Sequence, residues 1–238
     1  MGLLTVGARC ALLLLACAGG AVACSNTVTG SSRVQAPRDA SAPKVAPADL
    51  AKLLLSDQQV SDIVGAPGMV SFEPYQGIPP PAGETYSEPR CAEAVFNTEW
   101  PSYNGTGFTG AVGHKVGEPG DRPAHNIDEG VVSFPDAVSA TRFVVRTGLD
   151  FDRCADTHFS FTTPPPRSQT DYYTIGFPKT VGDMATVVSA VEGGEGRTCA
   201  RAISSRSNVV IDVYVCATDA TAKTAVDLVN AIANNVRH

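Results

Sequence analysis

Seven cysteines carry the clearest chemistry in this 238-residue chain, and they fall into two kinds. Cys24 follows Ala21-Val22-Ala23 and precedes polar Ser25, Asn26 and Thr27. Upstream lie one charge, Arg9, and an apolar run from Ala11 to Ala16 that gives way to small residues. This pattern resembles a lipoprotein export signal cut before Cys24, whose thiol then carries acyl chains. Residues 1–23 are read as that signal peptide, too short and too broken by Gly19 and Gly20 for the roughly 20 apolar residues of a membrane span. Cys17, after Leu14-Leu15-Ala16, is a rival acceptor. It would leave a very short apolar core, and small apolar residues follow it where polar ones are expected. An ordinary secretory signal cut near Ala23 would leave Cys24 as an odd thiol in an oxidising compartment. Acyl chains contribute about 0.8 kcal/mol per buried methylene, so several on one cysteine would hold a soluble domain to a membrane surface. The expected location is the extracytoplasmic face of the cell membrane.

Cys10 and Cys17 leave with the signal, and Cys91, Cys154, Cys199 and Cys216 remain. Four thiols in an exported domain imply two disulfides. None is spaced C-x-x-C and no histidine neighbours Cys91 or Cys199, which argues against zinc and against a redox pair. Cys199 and Cys216 sit in two strand-like runs, 197–206 and 209–217. If Ser207-Asn208 is the turn, opposed residue numbers sum to 415, as those of the two cysteines do. A two-residue turn puts them at a non-hydrogen-bonded pair, where Cα atoms approach closely enough for a bridge; a four-residue turn keeps the opposition and reverses the parity. Cys91 then pairs with Cys154 by elimination.

Elsewhere catalytic chemistry is sparse. His114, His125, His158 and His238 are scattered, and there is no H-E-x-x-H, G-x-S-x-G, S-x-x-K or glycine-rich phosphate loop. The group His125, Asp128, Glu129 reads as a solvated strand start. No catalytic residue, metal or cofactor is expected. Without Arg9 the mature chain has 17 basic against 24 acidic side chains, a formal charge of −7 with no Lys/Arg block. That balance disfavours nucleic acid and anionic headgroups as partners.

The elements that must position any site follow from periodicity. Residues 24–47 are Ser, Thr, Pro and Ala with few large apolar side chains, a flexible linker behind the lipidated cysteine. Residues 48–238 form one domain. Leu50, Leu53, Leu54 and Leu55 mark a short helix; Ser56 and Gln59 form a capping box for another, with Val60, Ile63 and Val64 inside and Gly65 as its stop. Residues 66–82 read as a loop, and Ser87 could cap a helix through Cys91 and Phe96 toward Trp100. Strands are expected at 110–117, 126–134, 158–163, 172–177 and 184–191. A helix from about Asp136 to Arg146 runs on toward Cys154, and an amphipathic helix from about Asp219 closes the chain. The fold class is α+β, a two-layer sandwich of a twisted antiparallel sheet with helices packed on one face.

The hairpin then separates two faces. Val209, Ile211, Val213 and Val215 lie opposite Ala200, Ala202 and Ser204, a large-against-small surface suited to pack under helices. The other side carries Arg201, Asp212 and Tyr214, expected to look into solvent or a groove and to orient a polar ligand or a protein partner. Tyr172 and Tyr173 alternate faces, so one joins this surface, with Tyr172 the candidate. Trp100, more readily a core anchor, lies at a helix-to-loop edge where a cleft rim could form.

Several of these features together resemble the extracellular sensor domain of mycobacterial PknH-type serine/threonine kinases, which also occurs alone as signal-anchored lipoproteins. They are Leu53-Leu54-Leu55-Ser56 with Val60, Ile63 and Gly65; Cys91 before Trp100; Val131-Val132-Ser133-Phe134-Pro135-Asp136-Ala137; the run into Cys154; and the Cys199/Cys216 hairpin before a final helix. The resemblance covers about residues 48–238. It implies one α+β domain, disulfides joining the first two and the last two cysteines, and a cleft that binds an unidentified ligand. Phe151 departs from it, standing where tryptophan is expected three residues before the second cysteine. No kinase domain is expected in this sequence. The function expected is a membrane-anchored, non-catalytic sensor-like module that binds a small envelope ligand or a protein partner. A carrier of a hydrophobic envelope lipid and, behind it, an envelope hydrolase are the alternatives.

Overall fold

The domain opens with a strap tied down by distant side chains. The computed structural model describes residues 43–120, 123–218 and 220–236, so the expected signal peptide, lipid-bearing Cys24 and spacer residues 25–42 lie outside the described residues. Residues 43–47, read from composition as the end of the linker, are held to the domain. Asn208 Oδ1 accepts from Val45 N at 2.8 Å, Asn208 Nδ2 donates to Val45 O at 3.1 Å, and Ser207 Oγ donates to Pro43 O at 2.9 Å. Pro47–Leu53 then forms a 3-10 turn that buries Leu50 and Leu53. Helix α1 (Asp57–Val64) starts at the expected capping box: the Ser56 side chain accepts from Gln59 N, and Gln59 Oε1 accepts from Ser56 N at 2.9 Å. Gly65 ends it at φ 78°, where a Cβ would be strained.

Among the described residues, ten strands make one antiparallel sheet. They are β1 (Val70–Gln76), β2 (Thr85–Tyr86), β3 (Gly110–Gly117), β4 (Asn126–Ser133), β5 (His158–Thr162), β6 (Thr170–Ile175), β7 (Lys179–Val181), β8 (Met184–Val191), β9 (Arg197–Arg206) and β10 (Val209–Thr218). Their order is β1-β3-β4-β10-β9-β8-β6-β5-β2, with β7 also paired to β8. The stretch expected to be a loop contains β1. Its pairing with β3 shifts register between Phe72 and Tyr75, around Glu73 at φ 46° and Pro74. The same irregularity spoils the edge as a template for a foreign strand.

Consecutive strands β1 and β2 lie at opposite ends of this path. Laid flat, strand spacings of about 4.8 Å would put them nearly 40 Å apart, whereas the chain from Gln76 to Thr85 reaches about 30 Å when fully extended. The sheet therefore curls, and the segment after β1 crosses its concave side, burying Ile78 there.

Short helices α2 (Ala92–Val95) and α3 (Trp100–Tyr103) and the long α4 (Ala137–Arg153) cover this concave side. Asp136 caps α4 by accepting from Ser139 N at 2.7 Å. The single helix expected from Ser87 toward Trp100 is instead a 3-10 turn (Pro89–Cys91), α2, an extended break at Phe96 and α3. Helix α5 (Ala222–Asn235) and the strap cover the opposite face. There Leu228, Val229 and Ile232 pack with Val209, Ile211, Val213 and Val215, as the large-against-small pattern requires. The α+β class, the antiparallel sheet and the two disulfides hold, but helices lie on both faces rather than one. The reason is that the acids of the concave face, Asp128 and Asp212, take donors from the segment laid over them instead of from water.

The disulfides join Cys91 to Cys154 and Cys199 to Cys216, with Cα atoms 5.7 and 4.0 Å apart. The second links register partners across β9 and β10, whose turn is Ser207-Asn208 because Arg206 opposes Val209. The first ties the 3-10 turn before α2 to the end of α4.

Candidate functional site

Arg201 and Asp212 point from neighbouring strands toward the concave side and grip each other twice. Arg201 Nε donates to Asp212 Oδ1 at 2.9 Å, and Nη2 to Oδ2 at 2.8 Å. Asp212 Oδ2 also accepts from the Tyr103 hydroxyl at 2.8 Å and from Thr98 N at 3.0 Å, both in the covering segment. Phe151 supplies a platform, its ring centre 5.1 Å from the guanidinium carbon. Burial works against the Arg201 charge, and Asp212 more than offsets it, leaving its pKa raised. Burial also pushes up the Tyr103 phenol, and the Asp212 charge adds to this.

This arrangement overturns one expectation. Arg201, Asp212 and Tyr214 are 1%, 0% and 7% exposed, so they face neither solvent nor an open groove. Alternation places them correctly on one face but does not reveal the lid. Tyr214 donates to Cys199 Sγ at 3.1 Å and its ring lies 6.0 Å from that of Phe96. The tyrosine that joins them is Tyr173, which meets Phe96 edge-on at 5.5 Å; Tyr172 is exposed on the other side. Trp100 is partly buried against the same core.

Sequence reading missed the row beside this pair. Asp128 Oδ1 accepts from the Tyr75 hydroxyl at 2.9 Å and from Asn97 Nδ2 at 3.0 Å. Burial pushes its pKa up to about 6, against the pull of those donors. Tyr75 lies where paired Gly113 and Gly130 leave room: a Cβ on Gly113 would sit 2.1 Å from the phenol. Two glycines opposed in mid-strand were the available signal for a side chain crossing the backbone. The group read as a solvated strand start is not one: Glu129 is buried on the opposite face, its Oε2 accepting from Leu55 N at 3.2 Å and lying 3.1 Å from His114 Nε2. His125 pairs with Glu118 at 2.6 Å.

Where the lid meets α4, a cavity of about 220 Å³ opens, lined by Pro89, Arg90, Glu93, Pro101, Ser102, Arg146 and Asp150. Arg146 Nη2 spans it to Ser102 O at 2.5 Å. Glu93 is 5% exposed, and its Oε2 has no hydrogen-bond partner among the described residues. Burial pushes its pKa up to about 7, with the Arg201 charge and Ser102 pulling the other way and Asp150 adding to the rise. Arg201 Nη1 and Thr147 Oγ1 are also buried without a partner among these residues. Glu93 thus lies between the Arg201 charge that acts on it and a cavity that reaches the partly exposed Arg146 and Asp150. Such a wall can orient a polar ligand. Among the described residues no three His, Cys, Asp or Glu side chains are grouped to hold a metal ion.

The family model of the PknH-like extracellular domain matches residues 45–235. The chain belongs to this family. Serine/threonine-protein kinase PknH of Mycobacterium bovis is 33% identical over 172 residues, which cover 72% of this chain and 28% of the relative. The proteins of the same name from two Mycobacterium tuberculosis strains match at 33% over 27% of their length. The chain therefore spans little more than a quarter of these kinases. The crystal structure of the extracellular domain of PknH from Mycobacterium tuberculosis aligns with a TM-score of 0.76 and 31% identity, covering 82% of this chain and 97% of that one. The likeness is thus to the extracellular domain of a serine/threonine-protein kinase. No helix among the described residues is long and apolar enough to cross a membrane.

Proposed function

We propose that this chain is a lipid-anchored envelope protein whose PknH-like domain works as a non-catalytic sensor module, binding a small polar ligand in the cavity between α2, α3 and α4. The observation that carries the reading is Glu93, a buried acid that lines the cavity and whose Oε2 has no partner among the described residues. Burying a carboxyl without full partnering is costly, and a ligand's donor would relieve that cost. Asp212, gripped by Arg201, acts here from behind: it holds Thr98 and Tyr103, and with them the lid, against the sheet, while Tyr214 packs against Phe96. A lipid anchor passes no conformational change through a bilayer, so signalling would proceed through a protein partner that reads the lid. Cys24 would hold the module at the membrane.

The test is mass spectrometry of small molecules retained by protein purified from its native envelope. Wild-type protein is expected to retain a polar molecule that Arg146→Ala loses while keeping its thermal midpoint. Equal retention by the two proteins would remove the cavity as the site. Cys24→Ala should release the protein into the medium, and continued membrane retention would count against that anchor.

A further inference from the structure

Around the cavity the charges at the rim are paired only loosely or in exposed positions, and Glu93 has no ion pair among the described residues. Asp150 pairs with Arg153 and lies 3.9 Å from Arg146 Nε. Arg90 pairs with Glu88 at 3.5 Å. Arg201 is committed through Nε and Nη2 to Asp212. Glu93 feels the Arg201 charge but forms no ion pair of its own among the described residues, and its Oε2 is left without a hydrogen-bond partner there.

A carboxyl in this position takes either a proton or a cationic donor. Near neutral pH its proton is only half held, since its pKa lies at about 7. Asp150 stands close enough for its charge to oppose ionisation of Glu93, and both residues line the cavity. Three N–H donors of a primary ammonium match such a pair; a quaternary ammonium has none to offer. Arg90 and Arg146 at the rim disfavour a bare cation and suit one that carries an acidic group beside its ammonium. A volume of about 220 Å³ limits the guest to a few heavy atoms beyond those two groups.

We propose, resting on the cavity reading above, that the guest is a small zwitterion whose ammonium sits between Glu93 and Asp150 and whose acidic end meets Arg90 and Arg146. Binding then displaces the proton of the Glu93 carboxyl to solvent, with no covalent step. The isosteric Glu93→Gln keeps shape and removes the charge.

The experiment is calorimetric titration of the full chain in detergent with β-alanine, with acetate and tetramethylammonium as single-charge controls. Expected at pH 8 is saturable β-alanine binding that weakens at least tenfold in Glu93→Gln. In the wild type, affinity should fall by about tenfold per pH unit below pH 7, and in Glu93→Gln this slope should vanish. β-Alanine binding that is equal in both proteins, or absent at millimolar concentration, overturns the ammonium assignment. Acetate binding as tightly as β-alanine and lost in Arg146→Ala overturns it too, while leaving the cavity as the ligand site. Retention of the native molecule unaffected by Arg146→Ala would remove the cavity itself.

Discussion

On the α5 side, β9 and β10 present alanine and branched aliphatic side chains. One residue along the same strands, on the concave side, they bury an arginine and an aspartate. The aliphatic face gains stability in proportion to area removed from water and is indifferent to which partner covers it. The charged face gains little from burial itself, because desolvation of the two ions consumes most of their attraction. It depends instead on specific donors, Tyr103 and the Thr98 amide, arriving from more than a hundred residues away in sequence. One face is glued and the other is latched, and the latched face adjoins the cavity lined by Glu93.

Breaking the latch should give the largest effect. Asp212→Ala leaves Arg201 buried without its counter-ion and is expected to cost about 3–5 kcal/mol in urea unfolding. The double variant Arg201→Met, Asp212→Leu should recover most of that loss, since neither charge is then stranded. A double variant as unstable as Asp212→Ala would mean that the ion pair stabilises in its own right, and the contrast between the faces would fail.

The glued face should respond to volume alone. Leu228→Ala is expected to cost about 3 kcal/mol, whereas Leu228→Met, which conserves volume, should cost less than about 1.5 kcal/mol. Equal losses from the two would show that shape, and not burial, governs the α5 side.

A third expectation uses pH. Glu93 and Asp128 have native pKa values raised to about 7 and about 6, above those of an unfolded chain. Between about pH 4 and pH 7 the folded protein therefore binds more protons, and its stability falls as pH rises through that window. For Glu93 the loss is roughly 3 kcal/mol at most. Glu93→Gln should flatten the profile, and the Leu228 variants should not. A wild-type profile rising from pH 4 to pH 7 with the same slope in Glu93→Gln would count against a strained buried carboxyl.

What could be read from sequence was what is local or periodic. The Ser56/Gln59 box, the bounds of β3 and β8, the α5 stripe and the Cys199/Cys216 register all rest on neighbours within a turn or a hairpin. Strand β1 escaped because Pro74 and the bulge at Glu73 break its alternation. The stretch from Ser87 toward Trp100 reads as one helix because Cys91, Val95 and Phe96 keep helical spacing, although the chain breaks at Phe96 to lay Asn97 and Thr98 on the sheet. The alternation that set Arg201, Asp212 and Tyr214 apart from the valines was correct; their cover was not legible, because its donors have no fixed spacing from the acids they satisfy. Choosing Tyr172 over Tyr173 failed for a related reason, since the starting parity of β6 depends on its pairing with β5 and β8.

The smallest effect makes the finest test of the latch. Tyr75 reaches Asp128 and Thr98 through one hydroxyl, at 2.9 and 3.0 Å, across the trough left by Gly113 and Gly130. Tyr75→Phe keeps the ring in that trough and removes only the hydrogen bonds, at an expected cost of about 1 kcal/mol. The donor favours the charged form of Asp128, so the cost should be greater above pH 6 than at pH 5, where the carboxyl is mostly protonated. A loss unchanged across that interval would mean that the phenol does not hold Asp128 in its ionised state. Asn97 alone would then carry the contact between lid and sheet in this row.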